Sequence, residues 1–180
     1  VLRAYARQYH IEKLRWIVNG GGDGQESTQK GIEALKEACK EDDIVIVHDA
    51  IRPFITPEVI SDAIFVCQTK GSGLSAVRCQ ETIVRTGDGV SGDENIGRQE
   101  IMRVQTPQAY RMDRLLEIHR KAVEMGIVGQ VDTNSVVSRL GEPVYFSKGS
   151  DLNLKINTVE DVEMFKALYK MQQEARKEEY

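Results

Sequence analysis

The amino-acid sequence predicts an α/β fold with a largely parallel sheet that is covered by helices on both faces. Segments with apolar residues at helical spacing alternate with short apolar runs along the 180 residues, as they do when a chain winds repeatedly over one sheet. One of these runs, "DIVIV" (43–47), is apolar on both faces, which is typical of a parallel strand. With 41% hydrophobic residues the chain can bury a sizeable core, and its length suits one domain.

The first part of the sequence predicts a helix, a strand, a loop and a second helix. "VLRAYARQY" (1–9) has apolar residues at helical spacing, and "LRWIV" (14–18) is a short strand. The glycine loop "GGGDG" (20–24) follows, and Ser27 then caps the helix "TQKGIEALKEAC" (28–39).

The middle of the sequence continues the alternation. Thr56 and Pro57 start a helix as its N-cap and first residue, and "GLSAV" (73–77) is the next strand. A later helix runs from Met112 to Met125. The first of these helices has one apolar stripe, which consists of Val59, Ile60, Ala63, Ile64 and Cys67.

The last part predicts one more strand and a final helix. "PVYFS" (143–147) is the strand, and Thr158 with Asp161 forms a variant of the capping box at the start of the helix. The apolar residues that pack inward from this helix are Val162, Phe165, Leu168 and Tyr169.

Residues 82–100 interrupt this pattern. The stretch "TIVRTGDGVSGDENIGRQE" has few core residues and four glycines. Because "GDG" stands between short alternating runs, it predicts a hairpin-like arm with a turn at residues 87–89. An arm so poor in apolar residues has little reason to pack on the core of its own chain.

Composition excludes several classes of protein. The net charge of −4 gives no basic footprint, which argues against duplex nucleic acid as the main partner, and no membrane is expected either. No apolar run has membrane-spanning length and no signal peptide opens the chain, which favours a cytoplasmic protein. The three cysteines show no paired spacing and predict reduced thiols. The chain begins at Val1 inside a helical pattern, without an initiator methionine, and so resembles a fragment.

The stretch "IVIVHDAIRPF" (44–54) is the first candidate site. In open α/β sheets, ligands bind beyond the carboxyl ends of the strands, and the strand at 44–47 delivers Asp49 to that edge. A carboxylate there can ligate Mg²⁺, and Arg52 can hold a phosphate with its planar guanidinium group. The alternative is that Asp49 caps a turn and Arg52 forms a surface salt bridge; this stretch does not decide between them.

Three other stretches have local features of a phosphate or nucleotide site. "NGGGDGQES" (19–27) brings main-chain groups close to a ligand, although a plain strand–helix turn explains it equally well. In "DLNLKINT" (151–158), strand alternation points Lys155 away from its apolar neighbours, towards a phosphate or, alternatively, outwards on an edge strand. "RVQTPQAY" (103–110) by itself indicates a turn, and His119 lies on an apolar helix face and is expected in the core.

Four motifs taken together resemble one family. "VHDAIRP" (47–53), "QTPQAY" (105–110), "VDTNSVV" (131–137) and "NLKINTVEDV" (153–162) occur in the order and spacing of the cytidylyltransferases that act on sugar-alcohol phosphates. Its members include the 2-C-methyl-D-erythritol 4-phosphate enzyme of isoprenoid synthesis and the ribitol-5-phosphate enzyme of teichoic acid and capsule synthesis. The resemblance implies a Rossmann-like nucleotidyltransferase sheet with a protruding β-arm for dimerisation.

The family's reaction implies roles for particular residues. CTP and a polyol phosphate give a CDP-polyol and pyrophosphate, and catalysis consists mostly of positioning and charge neutralisation. By resemblance, Asp49, Lys155 and Arg52 are catalytic. Asp49 holds Mg²⁺ or another divalent cation at the nucleotide, Lys155 contacts the triphosphate, and Arg52 belongs to the substrate site. The residues that the resemblance assigns to the nucleotide are Gly21, Asp23, Ser27 and Ala50.

The resemblance also implies a site shared between two subunits. In the family the arm, here residues 82–100, interlocks with a second subunit, so the expected assembly is a homodimer. The residues assigned to the polyol phosphate are Thr82, Arg98, Thr106 and Asp132.

The chain departs from the family pattern in several places. The family opens with a strand and a glycine-rich loop that binds the triphosphate, in a segment of roughly 70 residues, about two β/α units. No such loop precedes the first motif here, and we therefore expect the chain as given to be an inactive, partial cytidylyltransferase domain (1–180). The positions where another residue is usual are Gly24 (arginine), Arg78 (proline), Glu81 (aspartate) and Val131 (threonine).

The sequence therefore predicts a cytidylyltransferase, with two alternatives. The methylerythritol phosphate is the first choice of substrate because that enzyme is widespread, whereas "RPFIT" (52–56) favours the ribitol branch. A non-catalytic remnant that dimerises through the arm is one alternative to an enzyme of this kind. A nucleotidyltransferase that uses another nucleoside triphosphate is the second.

Overall fold

The structure, a computed structural model, describes residues 1–178. The helices are α1 (Leu2–Gln8), α2 (Gly24–Leu35), α3 (Pro57–Lys70), α4 (Met112–Glu124), α5 (Thr133–Arg139) and α6 (Val159–Glu178). The strands are β1 (Ile44–Val47), β2 (Ser72–Arg78), β3 (Ile83–Arg85), β4 (Glu94–Ile96), β5 (Met102–Arg111) and β6 (Phe146–Lys148). Within residues 1–178, no helix is both long and apolar enough to cross a membrane.

The chain divides into two compact units. The first unit comprises Val1–Val45 and Tyr110–Val144, and so contains α1, α2, α4 and α5. The second comprises Ile46–Ala109 and the chain from Tyr145 onward, and contains α3, β2, β6, α6 and the β3–β4 hairpin. Strands β1 and β5 each begin in one unit and end in the other.

The main sheet has four strands in the order β1-β5-β2-β6. Strands β2 and β6 are parallel, with Leu74 opposite Phe146 and Ala76 opposite Lys148. Strand β5 is antiparallel to its neighbour β2. The end of β2 lies beside the start of β5, as the hydrogen bond from the N–H of Cys79 to the carbonyl of Ile101 shows. The predicted α/β fold is thus confirmed, with one antiparallel strand in the interior of the sheet.

Strand β5 corrects the expectation of a turn at residues 103–110. It is a strand of 10 residues, and its segment 105–110 is buried. Threonine, proline and glutamine fill this segment, so its composition lacks the β-branched and aromatic signal of a strand. Its place between two other strands explains both its burial and its extended backbone.

Two expectations for the first 40 residues are also wrong. "LRWIV" (14–18) is not a strand: a strand needs a hydrogen-bonded neighbour, and no strand of the described chain pairs with it, so Leu14 and Trp16 stay 43% and 48% exposed. Helix α2 begins four residues earlier than predicted, at Gly24. Its N-cap is Asp23, whose carboxylate accepts the N–H of Glu26, and not Ser27.

The other helix starts agree with the sequence. Thr56 accepts the N–H of Val59 at the start of α3. Thr158 and Asp161 form the predicted capping box, since each side chain accepts the main-chain N–H of the other, at 3.2 and 2.8 Å.

Strand β1 is less buried than its apolar sequence predicted. All its residues are half-buried, because β1 is an edge strand of the described sheet.

His119 lies in the core of the first unit, as expected from its place on the apolar face of α4. It is 4% exposed, its Nε2 lies 3.4 Å from the hydroxyl of Thr133, and its Nδ1 is buried without a partner in the described chain. Burial lowers the pKa of His119, because a charged imidazole loses its hydration there. The folded state therefore holds this histidine neutral.

We expect His119 to make the free energy of unfolding depend on pH. Below about pH 6.5, the usual histidine pKa, the unfolded chain binds a proton that the folded chain does not, so acid favours unfolding with a slope of up to about 1.4 kcal/mol per pH unit. Urea unfolding of the wild-type protein between pH 5 and 8 measures this slope. It should decrease in His119→Gln and persist in the control His10→Asn, which changes an exposed histidine. Equal slopes in His119→Gln and the wild type would contradict the prediction.

Candidate active site

Asp49 pairs with two cations in the second unit. The Asp49 Oδ2 atom lies 3.1 Å from Arg52 Nε and 3.3 Å from Lys155 Nζ. The side chain of Arg52 is only 12% exposed, whereas those of Asp49 and Lys155 are 33% and 36% exposed. One carboxylate between two cations leaves a net positive charge, so the cluster favours an anion such as a phosphate. The structure thus brings together the three residues predicted to be catalytic.

Arg52 is fixed by its neighbours on both sides. Its Nη1 donates to the carbonyl of Asn153 at 2.8 Å, while its main-chain N–H donates to the carbonyl of Asp49 at 3.0 Å. One residue before it, the carbonyl of Ile51 accepts the N–H of Ile156. The loop after β1 and the segment that carries Lys155 are therefore joined by both main chain and side chain.

Thr106 holds both of these segments from the interior strand β5. Its hydroxyl lies 3.0 Å from the main-chain nitrogen of Asp49, and its carbonyl accepts the Nδ2–H of Asn153 at 2.8 Å. The same hydroxyl lies 3.0 Å from Nδ1 of His48. Thr106 is buried, and it thus contacts the Asp49 cluster through its main chain and its side chain at once.

The loop after β6 is held in place by another residue of β5. The amide group of Gln105 donates to the carbonyl of Ser150 at 2.8 Å and accepts the N–H of Ser150 at 3.1 Å. Gly149 donates to the carbonyl of Ala76, and a Cβ at Gly149 would lie 2.7 Å from that oxygen. Arg103 also forms an ion pair with Asp151. These contacts set the point from which the chain leads to Lys155.

Lys155 itself does not lie on a strand, contrary to the alternation in "DLNLKINT". The chain from 153 to 157 is irregular, and the N–H of Ile156 bonds to a loop carbonyl rather than to a strand. Ala50, assigned to the nucleotide by resemblance, is exposed in the loop beside Asp49.

The glycine loop in the first unit is closed by its own side chains. The hydroxyl of Ser27 accepts the N–H of Gly21 at 2.9 Å and donates to the carbonyl of Asp23 at 2.7 Å. The carboxylate of Glu26 accepts the N–H of Gly22, which, together with Lys30, lowers the pKa of Glu26. Gly21, Asp23 and Ser27 are therefore close together, as the sequence led us to expect, in a helix-capping turn.

Gly24 has a steric reason to be glycine. A Cβ there would lie 1.9 Å from the carbonyl oxygen of Val131. The neighbouring Gln25 is buried and bonds to the same loop: its N–H donates to the carbonyl of Gln130 at 3.0 Å, and its side-chain amide donates to the carbonyl of Ile127 at 2.7 Å. With the loop in this position, no side chain fits at residue 24.

Asp132, Thr82 and Arg98, which the resemblance assigned to the polyol phosphate, lie at a helix start and on the exposed arm. Asp132 is the N-cap of α5, and its carboxylate accepts the N–H and the hydroxyl of Ser135. Thr82 and Arg98 are exposed, and Arg98 donates to the carbonyl of Gln80. Within the described chain, no hydrogen bond or ion pair joins either arm residue to the Asp49 cluster.

The predicted arm contains a real hairpin. Strands β3 and β4 pair antiparallel, with Ile83 opposite Ile96 and Arg85 opposite Glu94. Asp88 organises the turn, since its carboxylate accepts the N–H groups of Val90 and Ser91. These hydrogen bonds lower the pKa of Asp88 well below its usual range. The hairpin is thus stabilised mainly by its own polar contacts.

The sequence profile of the family described as IspD, 2-C-methyl-D-erythritol 4-phosphate cytidylyltransferase, matches residues 3–171. The chain belongs to this family. The resemblance that its four motifs indicated is therefore confirmed, and so is its placement among cytidylyltransferases.

Relatives in this family carry two different names. A ribitol-5-phosphate cytidylyltransferase of Lacticaseibacillus paracasei is 36% identical over 91% of this chain and 70% of its own length. A 2-C-methyl-D-erythritol 4-phosphate cytidylyltransferase of Clostridium novyi is 40% identical over 88% of this chain and 66% of its own length. The chain thus spans about two thirds of the length of these curated relatives.

A solved structure shows the same fold. The 4-diphosphocytidyl-2C-methyl-D-erythritol synthase of Anaerococcus prevotii superposes with a TM-score of 0.78 at 23% identity, over 93% of this chain and 77% of that one. The α/β nucleotidyltransferase fold predicted from the sequence is therefore confirmed.

Sequence reasoning missed two residues that contact the Asp49 cluster, His48 and Asn153. His48 stands beside Asp49, but nothing in the sequence indicates that Thr106 would be its partner. Asn153 is fully buried and precedes Lys155 by two residues. A buried asparagine in a short polar loop signals a main-chain contact, and Asn153 contacts both Thr106 and Arg52.

Two glycine substitutions in α2 should have opposite effects on stability. Gly24→Ala places a methyl group against the Val131 carbonyl, so we expect the free energy of unfolding to fall by about 1–3 kcal/mol. Gly31→Ala, the matched control, has open space around its Cβ and should raise it by about 0.4–1 kcal/mol. Urea unfolding of both variants makes the comparison, and a Gly24→Ala variant as stable as the wild type would contradict the close approach.

Proposed function

We propose that the complete gene product that contains this chain transfers the cytidylyl group of CTP to a polyol phosphate and releases pyrophosphate. The observation that carries the proposal is the Asp49–Arg52–Lys155 cluster, one carboxylate with two cations in contact with the interior strand of the sheet. The relatives named above give the substrate class: both act on the phosphate of a sugar alcohol.

The chemistry needs positive charge more than it needs a proton acceptor. An oxygen of the polyol phosphate attacks the α-phosphorus of CTP, and the bond from that phosphorus to the oxygen of the departing pyrophosphate breaks. Both reactants are anions, so their approach is unfavourable without cations that neutralise them. Preorganised charges of this kind supply a large part of the rate in phosphoryl and nucleotidyl transfer.

Arg52 and Lys155 suit different parts of this task. Arg52 is held by Asp49 and by the carbonyl of Asn153, so its guanidinium group offers a fixed, directional contact to an oxyanion. Within residues 1–178, Lys155 pairs with Asp49 alone, and its side chain is more exposed than that of Arg52. We assign Arg52 to the polyol phosphate and Lys155 to the triphosphate, where a flexible point charge can follow the leaving pyrophosphate.

Asp49 fits a site for Mg²⁺. This ion commonly takes one or two carboxylates and completes its shell with phosphate oxygens and water. Within residues 1–178, Asp49 Oδ1 accepts no hydrogen bond, and no cluster of three or more His, Cys, Asp or Glu side chains suits a metal. Asp49 would hold the ion by this one carboxylate, and the bound ion would neutralise charge on the triphosphate.

The nucleotide and the polyol phosphate would use the remaining predicted residues. We assign Gly21, Asp23, Ser27 and Ala50 to the nucleotide, and Thr82, Arg98, Thr106 and Asp132 to the polyol phosphate. The arm 82–100 would bring Arg98 to the site of a second copy in a homodimer. Support for this comes from the exposed position of Arg98 and from a hairpin with little apolar surface to bury on its own chain.

The choice between the two polyol phosphates is decided by direct comparison. The complete gene product that contains this chain is assayed for pyrophosphate release with CTP and either 2-C-methyl-D-erythritol 4-phosphate or ribitol 5-phosphate. A higher kcat/KM for one of them assigns the substrate. Parallel assays with UTP and ATP test the base. If no nucleotide supports transfer to either acceptor, the chain is a non-catalytic member of its family.

Replacing Asp49 should abolish most activity without unfolding the protein. Asp49→Asn keeps the shape of the side chain but removes the charge, and the loss of one preorganised charge contact costs on the order of 10²–10³ in kcat. The matched control is Asp42→Asn, an exposed aspartate before β1. Circular dichroism checks that both variants fold. Near-normal turnover by Asp49→Asn would refute its assignment.

A mixed dimer tests whether the site is shared between subunits. Asp49→Asn and Arg98→Ala are each expected to be inactive in the complete gene product. If Arg98 serves the partner's site, a mixed dimer has both lesions in one site and none in the other, so activity returns. If each site is built within one chain, every site of the mixed dimer keeps one lesion, and mixing restores no activity. No recovery, with subunit exchange confirmed by native mass spectrometry, would exclude a shared site.

A further inference from the structure

The imidazole ring of His48 lies between the Thr106 hydroxyl and the main-chain carbonyl of Arg52. Its Nδ1 lies 3.0 Å from the hydroxyl oxygen of Thr106, and its Nε2 lies 3.2 Å from the carbonyl oxygen of Arg52. The Thr106 hydroxyl lies at the same time 3.0 Å from the main-chain nitrogen of Asp49. A continuous path of hydrogen bonds therefore runs from the Asp49 main chain through Thr106 and His48 to Arg52.

For a neutral imidazole ring, the two ends of this path fix the direction of every hydrogen bond in it. The Arg52 carbonyl can only accept, so Nε2 of His48 must carry a hydrogen. In a neutral imidazole, Nδ1 is then an acceptor, and the Thr106 hydroxyl must donate to it. The Asp49 N–H can only donate, so it uses a lone pair of the Thr106 oxygen. Of the two neutral tautomers, only the Nε2–H form satisfies all three contacts.

We propose that His48 is a positioning residue of the transferase site, which it serves by fixing the direction of the Thr106 hydroxyl. The inference rests on the proposed function, because it assigns the held residues Asp49 and Thr106 to the nucleotidyl transfer. His48 acts through the two groups that it contacts, the Thr106 hydroxyl and the main-chain carbonyl of Arg52.

The fixed direction has a consequence for specificity. In the Nε2–H tautomer, the single proton of the Thr106 hydroxyl points at His48, and one lone pair of its oxygen accepts the Asp49 N–H. The remaining lone pair of the Thr106 oxygen can accept a hydrogen bond from a ligand. The hydroxyl has no second hydrogen to donate. Thr106 therefore recognises a hydroxyl of the polyol rather than an oxygen of its phosphate, since a phosphate oxygen offers only lone pairs.

Two substitutions separate the nitrogen atoms of the ring. His48→Asn keeps an acceptor near the position of Nδ1 and removes the donor to Arg52. His48→Gln keeps a donor near Nε2 and removes the acceptor for Thr106. We expect His48→Asn to retain most of the wild-type kcat/KM. In His48→Gln we expect kcat/KM to fall about tenfold, the loss typical of one well-placed hydrogen bond. His10→Asn, in which an exposed histidine of the first unit is changed, is the control.

A double-mutant cycle tests whether His48 acts through Thr106. Thr106→Val removes the hydroxyl and keeps the shape of the side chain. If the path is correct, His48→Gln costs nothing further in the Thr106→Val background, so the effects on kcat/KM are non-additive. Additive losses, or a His48→Asn variant as impaired as His48→Gln, would refute the assignment.

Nitrogen NMR of the imidazole ring gives a readout that is independent of turnover. In the complete gene product, the ¹⁵N shifts of His48 should show Nε2 protonated and Nδ1 as an acceptor, and Thr106→Val should shift the Nδ1 signal. The Nδ1–H tautomer would overturn the inference whatever the activity. Absence of cytidylyl transfer by the wild-type protein would refute the proposed function instead, so the two failures are distinguishable.

Discussion

Thr106 is the point on which the Asp49 cluster depends. Its hydroxyl holds the main chain of Asp49, and its carbonyl holds the side chain of Asn153, whose own carbonyl accepts from Arg52. Thr106 can do both because it lies on the interior strand β5, which has neighbours on both sides. A residue on the interior strand is much less free to move than a loop residue, so the geometry of two loops is set by one rigid element.

The two cations of the cluster are held to different degrees. Arg52 combines a largely buried side chain with hydrogen bonds to a carboxylate and a carbonyl, so moving it would break both and expose Asp49. Lys155 gives up only one partly exposed ion pair, a contact worth about 0–1 kcal/mol at a surface. The lysine can therefore leave the carboxylate for a phosphate at little cost, while the arginine keeps the carboxylate oriented.

The sequence predicted the elements with strong local signals and missed those that depend on distant partners. The helix starts at Thr56 and Thr158 follow from capping chemistry within a few residues, and the structure has both. Strand β5 depends on its neighbours in the sheet and not on its own composition, so "RVQTPQAY" indicated a turn. For the same reason "LRWIV" looked like a strand: its apolar residues satisfy the pattern, but no described strand pairs with it. At the site, their place at a strand end made Asp49 and Arg52 candidates, and the resemblance to the family then favoured the site over a turn and a salt bridge. His48 and Asn153 form contacts that no spacing in the sequence reveals.

The close approach of Gly24 to the Val131 carbonyl couples two distant positions in the chain. A side chain at residue 24 would push the loop at 127–131 away from α2 and break the bonds that Gln25 makes to it. Variation at residue 24 and in that loop is therefore not independent: a relative with a large residue at this position needs a differently placed loop. An attempt to graft an arginine at residue 24, as a way to change how the neighbouring turn binds a ligand, must redesign the loop in the same step.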